Sequence, residues 1–364
     1  MKKNNWVKYL IFSLCMLFSF VVGSIVTFGG LTLFNTVFER EPSKLKKEVT
    51  VVDNGISAGV EKVYDSVVVV ESYREDNLLG TGTGFIYSKD GNKYYIVTNY
   101  HVIESANNVK IVLTNNMEVS VNIVNGDQMA DVAVLSYETD KELEIAPLGE
   151  SVNTKVGDTV FAIGAPLDSS VYSWSVTRGI LSGKDREVRV SSKNSAKEWI
   201  MNVLQTDAAI NSGNSGGPLC NSNGEVIGIT NMKLVNTGIE GMGFAIPIEE
   251  AKRVVENLIS GKEIVKPYIG VYMIDASDTY NQSFYDLPED SYGALITGVE
   301  PGSPGEKAGF QKGDIIIGIN DKEVKDIAAF RYELYKYDIG ANVSIKVLRN
   351  KEEIIINVIL EKAE

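Results

Sequence analysis

The heptapeptide Gly213-Asn214-Ser215-Gly216-Gly217-Pro218-Leu219 is the part of this chain best suited to chemistry. A serine hydroxyl acts as a nucleophile when it stands exposed on a tight turn, beside backbone N–H groups able to hold the oxyanion formed on attack. Gly213 and the Gly216-Gly217 pair permit such a turn, because glycine enters φ > 0 without a Cβ clash. The serine needs a base, and His101 is the only histidine in the chain. It directly follows the apolar run that ends at Thr98. The base in turn needs a carboxylate, shielded from water, that holds the imidazole in the right tautomer. Asp131, heading Asp131-Val132-Ala133-Val134-Leu135, fits that part. Taken singly, each has a plainer account: a glycine-rich turn, a hydrogen-bonded histidine at a strand end, a turn-capping aspartate. Together they point to acyl transfer through serine, histidine and aspartate.

The elements that must position these residues are mostly strands. Short apolar segments recur between Val67 and Ser136 and again between Thr159 and Ile246, six in each group. Asp90-Gly91-Asn92 and Asn125-Gly126-Asp127 supply turns. This pattern predicts two antiparallel six-stranded barrels. A helix is predicted over Ile248–Ser260, with Glu249 and Glu250 in its first turn and Gly261 as its stop. From Lys266 a smaller unit of mixed α and β begins, with a helix predicted over Ile327–Tyr337. The expected division is an N-terminal anchor (1–38), a linker (39–58), a catalytic domain (59–262) and a C-terminal domain (266–362).

Composition narrows the function. The net charge of −13 leaves no excess of Lys and Arg for phosphates, so nucleic acid is excluded as a partner. One histidine and two distant cysteines, Cys15 and Cys220, exclude a structural His/Cys zinc site, and no metal or cofactor is expected. From Tyr9 to Phe38, 30 residues carry no charge. About 20 apolar residues suffice for a membrane-spanning helix. A cleaved signal peptide is the rival, but no alanine precedes Ala58 to form an A-x-A cleavage site. Basic residues flank the run on both sides, so the positive-inside rule does not orient it. The expectation is a single-pass anchor with the body on the extracytoplasmic side.

The order His, Asp, Ser is that of the chymotrypsin class. The chain resembles the HtrA/Deg family of trypsin-like serine proteases with C-terminal PDZ domains. The resemblance is carried by Gly82-Thr83-Gly84-Phe85, Thr98–Val102, Asp131–Leu135, Gly164-Ala165-Pro166, Val176–Ser182, Gln205–Leu219, Gly228–Asn231 and Gly243–Pro247. In the C-terminal unit it is carried by Gly298–Pro304, Ala308-Gly309-Phe310 and Lys312–Ile316. It implies two perpendicular barrels with the site between them, and an oxyanion hole made by the N–H groups of Gly213 and Ser215. It implies a homotrimer or larger homo-oligomer acting on unfolded or damaged polypeptides in protein quality control. Ala209 and Ile210, with Ile229, Thr230 and Asn231 as a wall, would form the substrate pocket. Tyr268-Ile269-Gly270-Val271 would receive a peptide's C-terminal carboxylate, the peptide adding as a strand. The long stretch Asp275–Ser291 departs from the pattern and could remodel that groove. Arg186, in a loop after the Ser173–Ser182 strand, is the nearest match to the family's sensing arginine. Two other readings remain beside quality control: a regulatory protease cutting one membrane-bound signalling substrate, and a chaperone or scaffold that keeps the fold without the activity.

Overall fold

A computed structural model describes residues 6–38, 55–164, 174–191, 198–231, 241–261 and 265–362. Most of the expected linker (39–54) and the quoted Ala165-Pro166 lie outside the described residues. The chain divides into two units, Met1–Asp53 and Asn54–Glu364. In the first, helix α1 covers Trp6–Phe38. Its side chains are described only from Trp6 to Val22. Among the described residues no helix is long and apolar enough to cross a membrane.

In the second unit a short helix α2 (Ser57–Val63) precedes the first barrel. That barrel comprises β1 (Val67–Arg74), β2 (Asn77–Asp90), β3 (Lys93–Thr98), β4 (Asn108–Val112), β5 (Glu118–Asp127) and β6 (Val132–Glu138), with helix α3 (Tyr100–Ile103) after β3. It closes in the order β1-β2-β3-β6-β5-β4. The second comprises β7 (Thr159–Gly164), β8 (Ser175–Ser191), β9 (Glu198–Thr206), β10 (Pro218–Asn221), β11 (Val226–Thr230) and β12 (Gly243–Pro247). It closes in the order β10-β11-β12-β9-β8-β7, and helix α4 (Ile248–Ile259) follows.

Several strands are apolar on both faces because each face meets a different core. In β3 and β6, Ile96, Ala133 and Leu135 fill the first barrel, while Val97, Val132 and Val134 face the seam between barrels. In β7, Val160 and Ala162 fill the second barrel, while Phe161 and Ile163 face the same seam. The period-two alternation of a strand therefore sorts side chains between two cores, and the seam holds the two barrels together. Phe161→Ala empties a fully buried ring position in that seam. We expect a stability loss of about 3–5 kcal/mol, read as a lower denaturant midpoint.

The C-terminal part is a sheet in the order β14-β15-β16-β18-β19, where β14 is Val271–Asp275, β15 Ala294–Val299, β16 Ile315–Ile319, β18 Asn342–Arg349 and β19 Glu352–Ile359. Two short strands, β13 (Pro267–Tyr268) and β20 (Glu361–Lys362), pair separately, and β17 (Lys322–Glu323) pairs with β16. Helices α5 (Thr279–Tyr285), α6 (Pro304–Ala308) and α7 (Ile327–Leu334) complete it. Phe330 and Leu334 of α7 pack with Ile296, Ile316, Val343 and Ile345.

Candidate active site

Asp131 is 1 % exposed and has φ 51°, a left-handed conformation at the entry to β6. Its carboxylate gathers three donors. Oδ1 accepts the His101 backbone N–H at 2.9 Å. Oδ2 lies 2.7 Å from His101 Nδ1 and accepts Asn231 Nδ2 at 2.7 Å. The backbone carbonyl of Asp131 is held as well, by Asn99 Nδ2 at 2.8 Å. An ionised carboxylate only accepts hydrogen bonds, so Nδ1 must carry the ring proton. That tautomer leaves Nε2 with a free lone pair, the state a base requires. The His101 side chain is 23 % exposed, so a substrate can reach it while Asp131 stays dry.

The turn carrying Ser215 is clamped from both barrels. Thr83, on β2, donates its N–H to the Ser215 carbonyl at 2.8 Å and its hydroxyl to the Gly213 carbonyl at 2.6 Å. Thr230, at the end of β11, accepts the Gly216 N–H at 2.9 Å and donates its own N–H to Gly217 O at 2.9 Å. Its hydroxyl donates to Asn214 O at 2.5 Å. Two contacts bring the serine to the histidine's corner. A Cβ on Gly216, whose φ is +85°, would stand 2.2 Å from Thr83 O and 2.8 Å from Asn99 N, so the turn presses on the residues just before His101. A Cβ on Gly82 would meet Val102 Cγ1 at 2.7 Å and Ser215 O at 3.2 Å, so one glycine separates the serine from the residue after His101. Gly213 has φ 101°, and its N–H finds no partner among the described residues, which leaves it available to an oxyanion.

The expected substrate-pocket residues divide. Ala209 is exposed, and its carbonyl accepts Thr177 Oγ1 at 2.9 Å and Asn214 Nδ2 at 3.2 Å. Ile210 packs inside the second barrel. Ile229 is fully buried in the seam, and Thr230 and Asn231 spend their polar groups on the nucleophile turn and on Asp131. The side chains of Ile229, Thr230 and Asn231 are thus corrected from pocket wall to support, because β11 turns them inward. A cavity of about 710 Å³ bounded by Leu148, Asp158, Arg178 and Asn221 is lined by none of His101, Asp131 and Ser215 and is no part of the active site. Cys220 lies beside the turn, but complete burial pushes its thiol far above the usual range, so it is no competing nucleophile.

Asn231 is the functional residue that sequence reasoning placed wrongly. Its only signal was position, one residue beyond an apolar strand. Asn231→Ala removes a hydrogen bond to a buried charge, worth about 1.5–3 kcal/mol. We expect kcat to fall by about 10- to 100-fold. KM should change little if Asn231 acts through Asp131, and a rise in KM with kcat intact would instead mark a pocket residue.

Arg186 is a second correction. It lies within β8 and not in a loop, because β8 runs on for 17 residues, through a bulge between Gly183 and Arg186, as a ribbon with β9. Its guanidinium lies over Gly183 and is exposed. The arginine that reaches the C-terminal part is Arg189, whose guanidinium pairs with Asp326, the residue that caps α7 by accepting Ala329 N–H at 2.8 Å. Lys266 makes a second link. Its ammonium sits 3.8 Å from Asp127 and over the Tyr335 ring at 5.4 Å, and burial holds its pKa below the ordinary lysine value.

At the expected carboxylate loop, Gly270 has φ 73°, and a Cβ there would stand 2.2 Å from Ser303 Cβ. The carbonyls of Ile269 and Gly270 are tied down by Gly305 N–H at 2.7 Å and Glu300 N–H at 2.9 Å. The N–H groups of Ile269 and Gly270 find no partner among the described residues. They are donors available to an anion. β14 beside them is an edge strand, with Val271 and Met273 packed against the cluster that includes α7.

Comparison with known proteins agrees with this architecture. Residues 82–229 match a trypsin-like peptidase domain and residues 267–360 a PDZ domain. Serine protease Do-like HtrA of Bacillus subtilis (strain 168) is 43% identical over 296 residues, 80% of this chain and 65% of the relative. Serine protease Do-like HtrB of the same organism is 40% identical over 85% of this chain and 71% of its own length. Serine protease Do-like HtrA of Lactococcus lactis subsp. cremoris is 30% identical over 96% of this chain and 95% of its own. The crystal structure of the serine endoprotease from Yersinia pestis superposes with a TM-score of 0.63 at 29% identity, covering 85% of this chain and 98% of that one. The HtrA-type protease AlgW, solved with a decapeptide, gives 0.64 at 26% identity over 85% and 99%. Two closed barrels meeting at a serine, histidine and aspartate, followed by a PDZ domain, place the chain in the Do-like HtrA family of serine endopeptidases.

Proposed function

We propose that this endopeptidase degrades unfolded or damaged polypeptides outside the cytoplasmic membrane. In this reading residues 1–38 tether it to the membrane and three or more copies assemble. His101 takes the Ser215 proton at Nε2 as Oγ attacks the scissile carbonyl, and later gives it to the leaving amine. Asp131 stabilises the imidazolium between those steps. The N–H groups of Gly213 and Ser215 hold the oxyanion. Base, nucleophile and oxyanion donors are all groups of the chain, so the reaction asks for no cofactor.

The observation that carries the substrate class is the residue six before the nucleophile, Ala209. A Lys or Arg side chain bound there would need a carboxylate, and the nearby Asp207 already accepts the Ile180 N–H at 2.6 Å. An unpaired cation in the pocket would be costly to desolvate. We therefore expect cleavage after small or medium apolar residues such as Val, Ala, Ile or Leu. Mass-spectrometric mapping of cut sites checks this, and mostly Lys or Arg at the cut would refute it. Such residues are buried in folded proteins and become accessible on unfolding, which selects damaged chains. Digestion of casein and of a stably folded protein by the chain, beside a Ser215→Ala control, tests the reading. Casein alone should be degraded.

One observation favours a second reading, a regulatory protease with a single membrane-bound substrate. The Arg189–Asp326 and Lys266 contacts join the PDZ helix α7 and its approach to the catalytic barrels. Comparing cleavage products across a proteome with and without the enzyme separates the two, since quality control yields many unrelated substrates.

A further inference from the structure

The segment Asp275–Ser291 has no part in the chemistry above, yet it holds the most exposed aromatic cluster of the C-terminal part among the described residues. Tyr280 is 72% exposed and Phe284 67% exposed. Their rings stack with centroids 6.1 Å apart, and Tyr285 meets Phe284 edge-on at 4.9 Å. The same segment is acidic: Asp278, Asp286, Glu289 and Asp290 are exposed, Gln282 Nε2 of α5 donates to the Glu289 carbonyl at 3.2 Å, and the segment contains no Lys or Arg. Exposed apolar patches rimmed by polar groups mark interaction sites.

The position of this patch says what covers it. A peptide whose carboxylate sits at Ile269 and Gly270, at the start of β14, must run antiparallel to β14 along its free edge. Its upstream residues then travel toward Asp275. At about 3.3 Å per residue, β14 takes up the last five or so ligand residues, and those about six to nine positions from the carboxylate arrive at the far end. There stands α5. Asn281 Nδ2 donates to the Asp275 carbonyl at 2.9 Å, and Asp275 Oδ1 accepts the Ile327 N–H of α7 at 2.7 Å. Ala276 is fully buried with Leu295 and Ile315, which anchors the insertion to the sheet. Helix α5, which carries the patch, is therefore held at the end of the groove where β14 stops and α7 begins.

We propose that the Tyr280–Phe284–Tyr285 surface, with Glu289 and Asp290, is a second subsite of the groove, reading the ligand upstream of its C-terminus and selecting Lys or Arg there. Aromatic faces attract cations by about 0.5–1 kcal/mol each at exposed sites, and the carboxylates add to this. This rests on the reading of Tyr268–Val271 as a carboxylate loop, and the experiment separates the two. Full-length Ser215→Ala protein in detergent is titrated with fluorescent peptides that share one apolar C-terminal tail and carry either two lysines or two glutamates six to nine residues upstream. The lysine peptide should bind about 5- to 30-fold tighter, equivalent to two such contacts. The preference should shrink in Tyr280→Ser/Phe284→Ser, where only the carboxylates remain, and reverse in Glu289→Lys/Asp290→Lys, where the local charge changes sign. Amidating the C-terminus should weaken every peptide. Equal affinity of the lysine and glutamate peptides, with amidation still harmful, overturns the subsite and leaves the groove reading intact. Indifference to amidation overturns the groove reading and the subsite with it. A Phe284→Ser protein that sediments as a smaller oligomer with its peptide preference unchanged assigns the patch to a second copy of the chain, which also refutes the proposal.

Discussion

Ser215→Ala and His101→Ala should each lower kcat by about 10⁶-fold, and the double variant should be no slower than either alone. The nucleophile and its base act as one unit, so removing either forfeits the whole of their contribution. What survives is the rate from binding and from the oxyanion donors around Gly213. Neither substitution disturbs packing: His101 is part-exposed, and the clamp on the serine turn uses backbone atoms of Gly213, Ser215, Gly216 and Gly217. The thermal midpoint should therefore stay near that of the parent, which separates lost chemistry from lost fold. Turnover on casein, with the midpoint as control, measures both. Additive losses in the double variant would sink the assignment, because independent groups add.

Asp131→Asn should cost about 10⁴-fold in kcat with little change in KM. The carboxylate now receives three donors: His101 N–H, His101 Nδ1–H and Asn231 Nδ2. An amide has one oxygen. With that oxygen kept on the His101 N–H, the new NH₂ faces both Asn231 Nδ2 and the imidazole. His101 Nδ1 must then accept, the ring proton moves to Nε2, and the base is lost. Turned the other way, the amide leaves the His101 backbone donor unsatisfied and loosens α3. Either outcome exceeds the loss expected for Asn231→Ala, which removes only one of the three. If Asp131→Asn proves milder than Asn231→Ala, Asp131 is not the orienting acid. NMR of the single imidazole reports the tautomer directly.

The reach of sequence reasoning follows the range of the forces involved. Strand alternation is a local pattern, so the six-and-six grouping could be read from spacing, and the structure closes both groups into barrels. The glycine-flanked Ser215 and the lone His101 declared themselves because few residue types can do their chemistry. Side-chain direction at the end of a strand is not local. Ile229, Thr230 and Asn231 look alike as a pocket wall until β11 is paired with β10 and β12, which turns them onto the seam, the serine turn and Asp131. The Arg186 error has a similar origin. Gly183-Lys184-Asp185 reads as a turn, whereas pairing with β9 carries the strand through a bulge and delivers Arg189 to Asp326.

The residue types that could act, the number of strands that flank them and the start of a second, PDZ-like unit were all legible along the chain. Folding settled which donors surround Asp131, which arginine meets α7, and that β14 with its aromatic insertion ends against the start of α7. The first set depends on periodicity and on the chemistry of single side chains, which neighbours in the chain reveal. The second depends on contacts between residues 52 to 137 positions apart, such as Asp275 with Ile327, Asp131 with Asn231 and Arg189 with Asp326, which exist only once the barrels have closed and the sheet has paired.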